Sequence, residues 1–181
     1  MILNKNKLFK IKGDASFRQF YRKKEKSKSS IIIFSKKEKK KNLLIYDSIN
    51  KILNKNKIIA PKLLNQRYHL NFIEVNDLGK TTVLDHIKKS KNKLKVFEKI
   101  VDLLIKLQKI KTRKVKNFNN KLYNIPIYSN KLLFNEAKFF CDWYVPENIK
   151  KNRIKINKKL KIKIKFLLNN LKLKNNILVH R

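Results

Sequence analysis

The chain has 181 residues, with 48 basic against 12 acidic side chains and a net charge of +36. It is 42% hydrophobic and 10% aromatic, enough to build a core, which excludes wholesale disorder. Its one cysteine, Cys141, excludes an internal disulfide, and no stretch approaches the ~18 apolar residues of a membrane span. The length suits one ordinary domain or a lobed domain cut short.

The charge admits two readings. A nucleic-acid or anionic-surface binder clusters its basic residues and uses arginine for bidentate contacts. Here only Arg18, Arg22, Arg67, Arg113, Arg153 and Arg181 are arginine, and 42 lysines are spread along the whole chain. Lysine, asparagine and isoleucine dominate, and A/T-rich codons encode all three, so codon drift accounts better for the charge. Weak, salt-dependent attraction to polyanions remains expected. The N-terminus, Met1-Ile2-Leu3-Asn4-Lys5, lacks the apolar stretch of a signal peptide, which fits a cytoplasmic protein.

In chain order, residues 7–35 predict a three-stranded antiparallel meander. Leu8, Phe9 and Ile11 precede Gly13, Phe17, Phe20 and Tyr21 follow it, and Lys23 to Ser29 is a polar link. The apolar run Ile31-Ile32-Ile33-Phe34 reads as a strand buried on both faces. Lys36 to Lys41 reads as a solvated linker. Leu43, Leu44, Asp47, Ile49, Ile52 and Leu53 suggest a helix with one apolar side, ended by Ile58-Ile59-Ala60-Pro61. Leu63 to His69 and Leu70 to Val75 predict two further strands.

After Gly79 the pattern turns helical. Thr81 or Thr82 can cap a short helix through Lys88. The spacing of Val96, Ile100, Val101, Leu103, Leu104, Ile105 and Leu107 predicts a helix over 93–110. Residues 111–128 read as a basic loop. Leu132 to Trp143 predicts a helix ending before Pro146. Residues 150–171 fit either an alternating strand (Leu160 to Lys165) or a helix (Phe166 to Leu171). Strands and helices are thus segregated, an α+β class.

Few residues carry chemistry by themselves. The chain has only two glycines, and a chain so short of glycine keeps one where the backbone needs an uncommon turn. Gly13-Asp14-Ala15-Ser16-Phe17-Arg18 joins two strands, so its backbone N–H groups and the Ser16 hydroxyl can form a phosphate cradle or a plain hairpin turn. Phe72 to Gly79 is a strand running into a turn, whose unpaired backbone groups can bond an adenine ring or simply close the strand. His69 and His86 are isolated, and no metal-ligand spacing is present. Cys141, beside Phe140, reads as core. No Gly-x-x-x-x-Gly-Lys phosphate loop and no Gly-x-Ser-x-Gly elbow occurs. Asp142-Trp143-Tyr144 is either a substrate-facing patch or aromatic packing.

In order, these segments resemble the aminoglycoside phosphotransferase superfamily, closest to its branch of cell-wall amino-sugar kinases. The resemblance rests on Gly13 to Arg18, on Asn76-Asp77-Leu78-Gly79, on Asp142-Trp143-Tyr144, and on Leu178-Val179-His180-Arg181 as the start of a His-Arg-Asp catalytic loop. It implies a protein-kinase-like fold: a sheet lobe with one helix (1–75), a hinge (76–80) and an incomplete helical lobe (81–181). It implies ATP and Mg²⁺ as cofactors of the intact parent, with Gly13, Asp14, Ala15 and Ser16 covering phosphates and Val75, Asn76, Asp77 and Leu78 holding adenine. Asp142, Trp143 and Tyr144 would lie near a sugar or amino-sugar substrate, in a monomeric enzyme of cell-wall recycling.

Two departures matter. The motif's aspartate and both expected Mg²⁺ ligands would fall past Arg181, so the 181 residues are expected to be a fragment, inactive by themselves. Asn76 stands where the branch usually has glutamate, and no third-strand lysine can be assigned. The competing expectations are a lysine-rich module for nucleic acid or anionic surfaces, and a nucleotide-binding regulator without turnover.

Overall fold

A computed structural model describes residues 8–12, 17–25, 28–149, 153–171 and 178. The protein is α+β. Two compact units divide the chain: Met1–Ile125 with Leu178–Arg181, and Pro126–Ile177.

The first unit is built on a five-stranded antiparallel sheet in the order β1-β2-β3-β5-β4. Its strands are β1 (Leu8–Ile11), β2 (Arg18–Glu25), β3 (Lys28–Ser35), β4 (Leu63–Arg67) and β5 (Phe72–Asn76). The expected meander is present, and β2 and β3 pair deep into the polar link, as far as Glu25 opposite Lys28. β3 lies at the centre, which explains its unbroken apolar run: Ile31, Ile32 and Ile33 are all buried. Directly paired residues share a face. Phe20, Ile33 and Ile73 therefore form one row across β2, β3 and β5, and Arg22, Ile31 and Val75 form the next.

Helix α1 (Lys41–Lys55) covers that face. Leu43 is fully buried against Ile31, Ile33, Ile73 and Val75, with Ile11, Phe20, Tyr46, Leu63, Tyr68 and Phe118 around them. Its buried positions Leu43, Asp47 and Asn50 recur at helical spacing. Asp47 pairs with Lys51 one turn on, at 2.9 Å, and Lys51 also reaches the Lys116 carbonyl. The helix stops at Lys55, ahead of the Ile58–Pro61 segment expected to end it. Lys57 is in the left-handed region (φ 58°), which breaks the helix before proline can act. Asn54 then donates to the Ala60 carbonyl and fastens the segment that follows.

Four local expectations are corrected. Part of the 36–41 linker is a 3₁₀ turn, Lys37–Lys39. The strand expected through His69 ends at Arg67, where a 3₁₀ turn (Tyr68–Leu70) leads into left-handed Asn71. The basic loop 111–128 holds a hairpin, β6 (Lys114–Lys116) with β7 (Leu122–Asn124). Asn117 makes that turn: its side-chain oxygen accepts from the N–H groups of Asn119 and Lys121, and Asn120 takes φ 59°. The helix expected to end before Pro146 continues through it. Proline there occupies the first turn of a new helical segment, where its missing N–H is not needed.

Helices α2 (Val83–Lys89) and α3 (Lys93–Gln108) follow the sheet. Thr82 caps α2, and its side chain and Asp85 satisfy each other's backbone N–H groups in a capping box. On α3, Val96 is buried, and Leu107 joins a second core with Ile52, Ile58 and Ile110. A second apolar stripe on α3 (Leu94, Phe97, Val101, Leu104) is exposed.

The second unit contains α4 (Asn130–Phe139), a π-helical turn (Phe140–Tyr144), α5 (Val145–Asn148) and α6 (Arg153–Asn170). The ambiguous stretch after residue 150 is thus helical. Cys141 and Val145 are fully buried, and α4 packs on α6. Among the described residues, no helix is long and apolar enough to cross a membrane.

Candidate functional site

The strand exit at residues 76–79 is held by a compact polar knot. Arg22 sits in the same row as Ile31 and Val75, and Asp77 lies two residues beyond Val75, so both side chains are on the α1 side of the sheet. Arg22 Nε donates to Asp77 Oδ2 at 2.6 Å, and Arg22 Nη2 donates to Asp77 Oδ1 at 3.0 Å. Arg22 Nη2 also donates to the Gly79 carbonyl at 2.8 Å. Ser29 Oγ donates to Asp77 Oδ2, and the Gly79 N–H donates to Asp77 Oδ1. The two side chains are only 15% and 6% exposed. Hydrogen bonding from Arg22 holds the Asp77 carboxyl far below the usual carboxylate range; the Gly79 N–H and Ser29 assist, and burial opposes. Asp77 in turn raises the Arg22 pKa.

Gly79 adopts φ 105°, a conformation that side-chain-bearing residues resist. This is the backbone need inferred from its retention in a glycine-poor chain. Asn76 closes the strand on the other side: its side-chain oxygen accepts from the Lys62 N–H, and its own N–H donates to the Lys62 carbonyl. Val75 is buried within the sheet. Leu78 is left at the apex, with an exposed side chain and, among the described residues, no hydrogen-bond partner for its backbone.

Val75, Asn76, Asp77 and Leu78 run in sequence through the end of β5, an interior strand of the sheet, into its exit. Gly13, Asp14, Ala15 and Ser16 lie outside the described residues, as do His180 and Arg181. Arg22 and Ser29 were not singled out from sequence. Arg22 carried one available signal, being one of six arginines among 42 lysines, at a site that needs a planar fork and not a point charge. A second polar group lies on the opposite face, where Ser30 donates to Glu74 and Lys23 approaches Glu74 and Glu25.

In the second unit, Asp142, Trp143 and Tyr144 fall on the π-helical turn. Turns of this kind are frequent at functional positions. The wider turn frees the Cys141 carbonyl, which accepts from Asn157 Nδ2 at 2.7 Å. Asp142 pairs with Lys161 at 2.6 Å. Trp143 is 72% and Tyr144 55% exposed. Phe139 lies 5.4 Å from the Trp143 ring, and Phe140 stacks on Tyr144 at 4.9 Å. Two exposed ring pairs thus flank the turn. Cys141 beneath them is fully buried, and burial pushes its thiol pKa up, as suits a packing residue.

Among the described residues, no group of three or more His, Cys, Asp or Glu is placed to hold a metal ion. The Mg²⁺ implied by the resemblance has no donor set among them.

No protein-family model matches the chain. It is similar to the N-acetylmuramate/N-acetylglucosamine kinase of Pseudomonas aeruginosa, 25% identical over 142 residues, which cover 78% of this chain and 39% of that protein. It is also similar to the N-acetylmuramate/N-acetylglucosamine kinase of Neisseria meningitidis serogroup B, 24% identical over 140 residues, covering 75% and 38%. The chain therefore spans about two fifths of the length of the curated relatives it matches.

Proposed function

We propose that this chain is the nucleotide-covering N-terminal portion of an ATP-dependent kinase that phosphorylates a sugar or amino-sugar hydroxyl. The similarity to two N-acetylmuramate/N-acetylglucosamine kinases carries this reading. The five-stranded sheet with one covering helix is compatible with the nucleotide lobe of a kinase-like fold. In this reading residues 1–75 form that lobe, 76–80 the hinge and 81–181 the start of the helical lobe. Val75 to Leu78 contact adenine through backbone groups, because the Asp77 carboxylate is already engaged. Gly13 to Ser16 cover the phosphates. The apolar faces of Trp143 and Tyr144 meet the sugar, with Asp142 at the rim. Mg²⁺ accompanies ATP in the complete enzyme, a cytoplasmic monomer of cell-wall recycling. In this reading the 181 residues bind nucleotide.

A net charge of +36 attracts any triphosphate, so the test must separate base recognition from charge. ATP and GTP carry the same charge but present opposite hydrogen-bonding groups at the purine 6-position. At physiological salt the chain is expected to bind ATP at least about tenfold more tightly than GTP, about 1.4 kcal/mol. Equal affinity for both, falling steeply with salt, would replace this reading with that of a polyanion-binding module.

A further inference from the structure

We propose that Arg22 and Asp77 are positioning residues for base recognition, a clamp that presents the Leu78 backbone to the purine. The proposal rests on reading the strand exit as the base-contact segment. The clamp acts where the sheet no longer can: the last β3–β5 pair is Ser30 with Asn76, and Asp77 lies past it. Five hydrogen bonds nevertheless converge there, from β2, from the start of β3 and from within the exit. They bracket Leu78. Asp77 is fixed on one side, and Gly79 is held on the other through both its N–H and its carbonyl.

A loop pinned on both flanks keeps the middle peptide groups in a constant direction. Those of Leu78 are left without partners among the described residues. An ordering device of this kind lowers the entropy lost when a ligand binds. The guanidinium fork is essential to it, since one nitrogen of Arg22 serves both the Asp77 carboxylate and the Gly79 carbonyl. An ammonium group offers no matching planar geometry.

The test is the ratio of GTP to ATP dissociation constants, measured by calorimetry on the full chain as wild type, Arg22→Lys and Asp77→Asn. Arg22→Lys keeps the charge and removes the fork. The wild type is expected to favour ATP at least about tenfold, and both variants are expected to fall to within about twofold, with the loss on the ATP side. Equal loss of both nucleotides would assign the pair a purely structural role and overturn the proposal. A preference retained in both variants would overturn the clamp while leaving the kinase reading intact. A wild type without preference would overturn both.

Discussion

Replacing Asp77 by asparagine removes one charge and leaves the shape unchanged, so its effect can be worked from the hydrogen bonds. Oδ1 accepts from Arg22 Nη2 and the Gly79 N–H, and Oδ2 accepts from Arg22 Nε and Ser29 Oγ. Asparagine has one acceptor oxygen and one amino group. With its oxygen in the Oδ1 place, the amino group meets Ser29, which can rotate to accept, and Arg22 Nε, which cannot. The opposite orientation puts the amino group against two N–H donors, so the first is preferred. It loses one charge-assisted bond and leaves Arg22 facing a neutral group, a cost of about 2–3 kcal/mol at neutral pH.

The pH dependence has a definite sign. The folded-state pKa of Asp77 is depressed, so its contribution is present above the unfolded value and is lost as pH falls toward the folded one. An unfolded aspartate has a pKa of about 3.9, so by about pH 3 roughly 1.3 kcal/mol of the contribution is gone. The asparagine variant lacks this component, and the other carboxylates cancel in the comparison. Urea denaturation of both proteins at about pH 6 and pH 3 is expected to show a gap that narrows by about 1 kcal/mol. A gap below about 0.5 kcal/mol at the higher pH, or one independent of pH, would refute the argument that Asp77 is held by a charged fork.

Three further outcomes follow from packing and exposure. Leu43→Ala empties a site with no solvent exposure between α1 and the sheet, and denaturation is expected to show a loss of about 3 kcal/mol. Cys141 is fully buried with a raised thiol pKa, so a thiol reagent at neutral pH is expected to label it slowly in the folded chain and fast in denaturant. Trp143 is the single tryptophan and is exposed, so its emission is expected to be that of a wet indole and to be readily quenched. If the aromatic surface receives sugar, N-acetylglucosamine shifts that emission and Tyr144→Ala weakens the response. An emission unmoved by sugar removes this surface from the proposed substrate site.

The sheet was legible because its signals are local and strong. Ile31 to Phe34 reads as a central strand wherever it is placed, and Gly79 marks a left-handed turn in a chain that otherwise avoids glycine. Helix ends were less legible, since they depended on Lys57 and Pro146, whose effects are set by neighbouring geometry and not by residue type. The β6–β7 hairpin was hidden by its lysines. Its turn is made by the Asn117 side chain, a signal visible in Asn117-Phe118-Asn119-Asn120 but outweighed by the charge around it. The pairing in the clamp was not legible, although Arg22 stood out as one of six arginines. Arg22 and Asp77 lie 55 residues apart, and only the β2–β3–β5 register brings them to one face. Asp77 is read from its motif as a nucleotide contact through its backbone; what the motif did not disclose is that its carboxylate turns inward while the neighbouring Leu78 side chain is exposed.

The most direct measurement is an amide NMR titration of the chain with Mg-ATP at physiological salt. The account expects the largest shifts at Val75, Asn76, Asp77 and Leu78, with GTP producing much smaller ones at the same residues. Shifts of similar size scattered over the lysine-bearing surface, the same for either nucleotide, would contradict it.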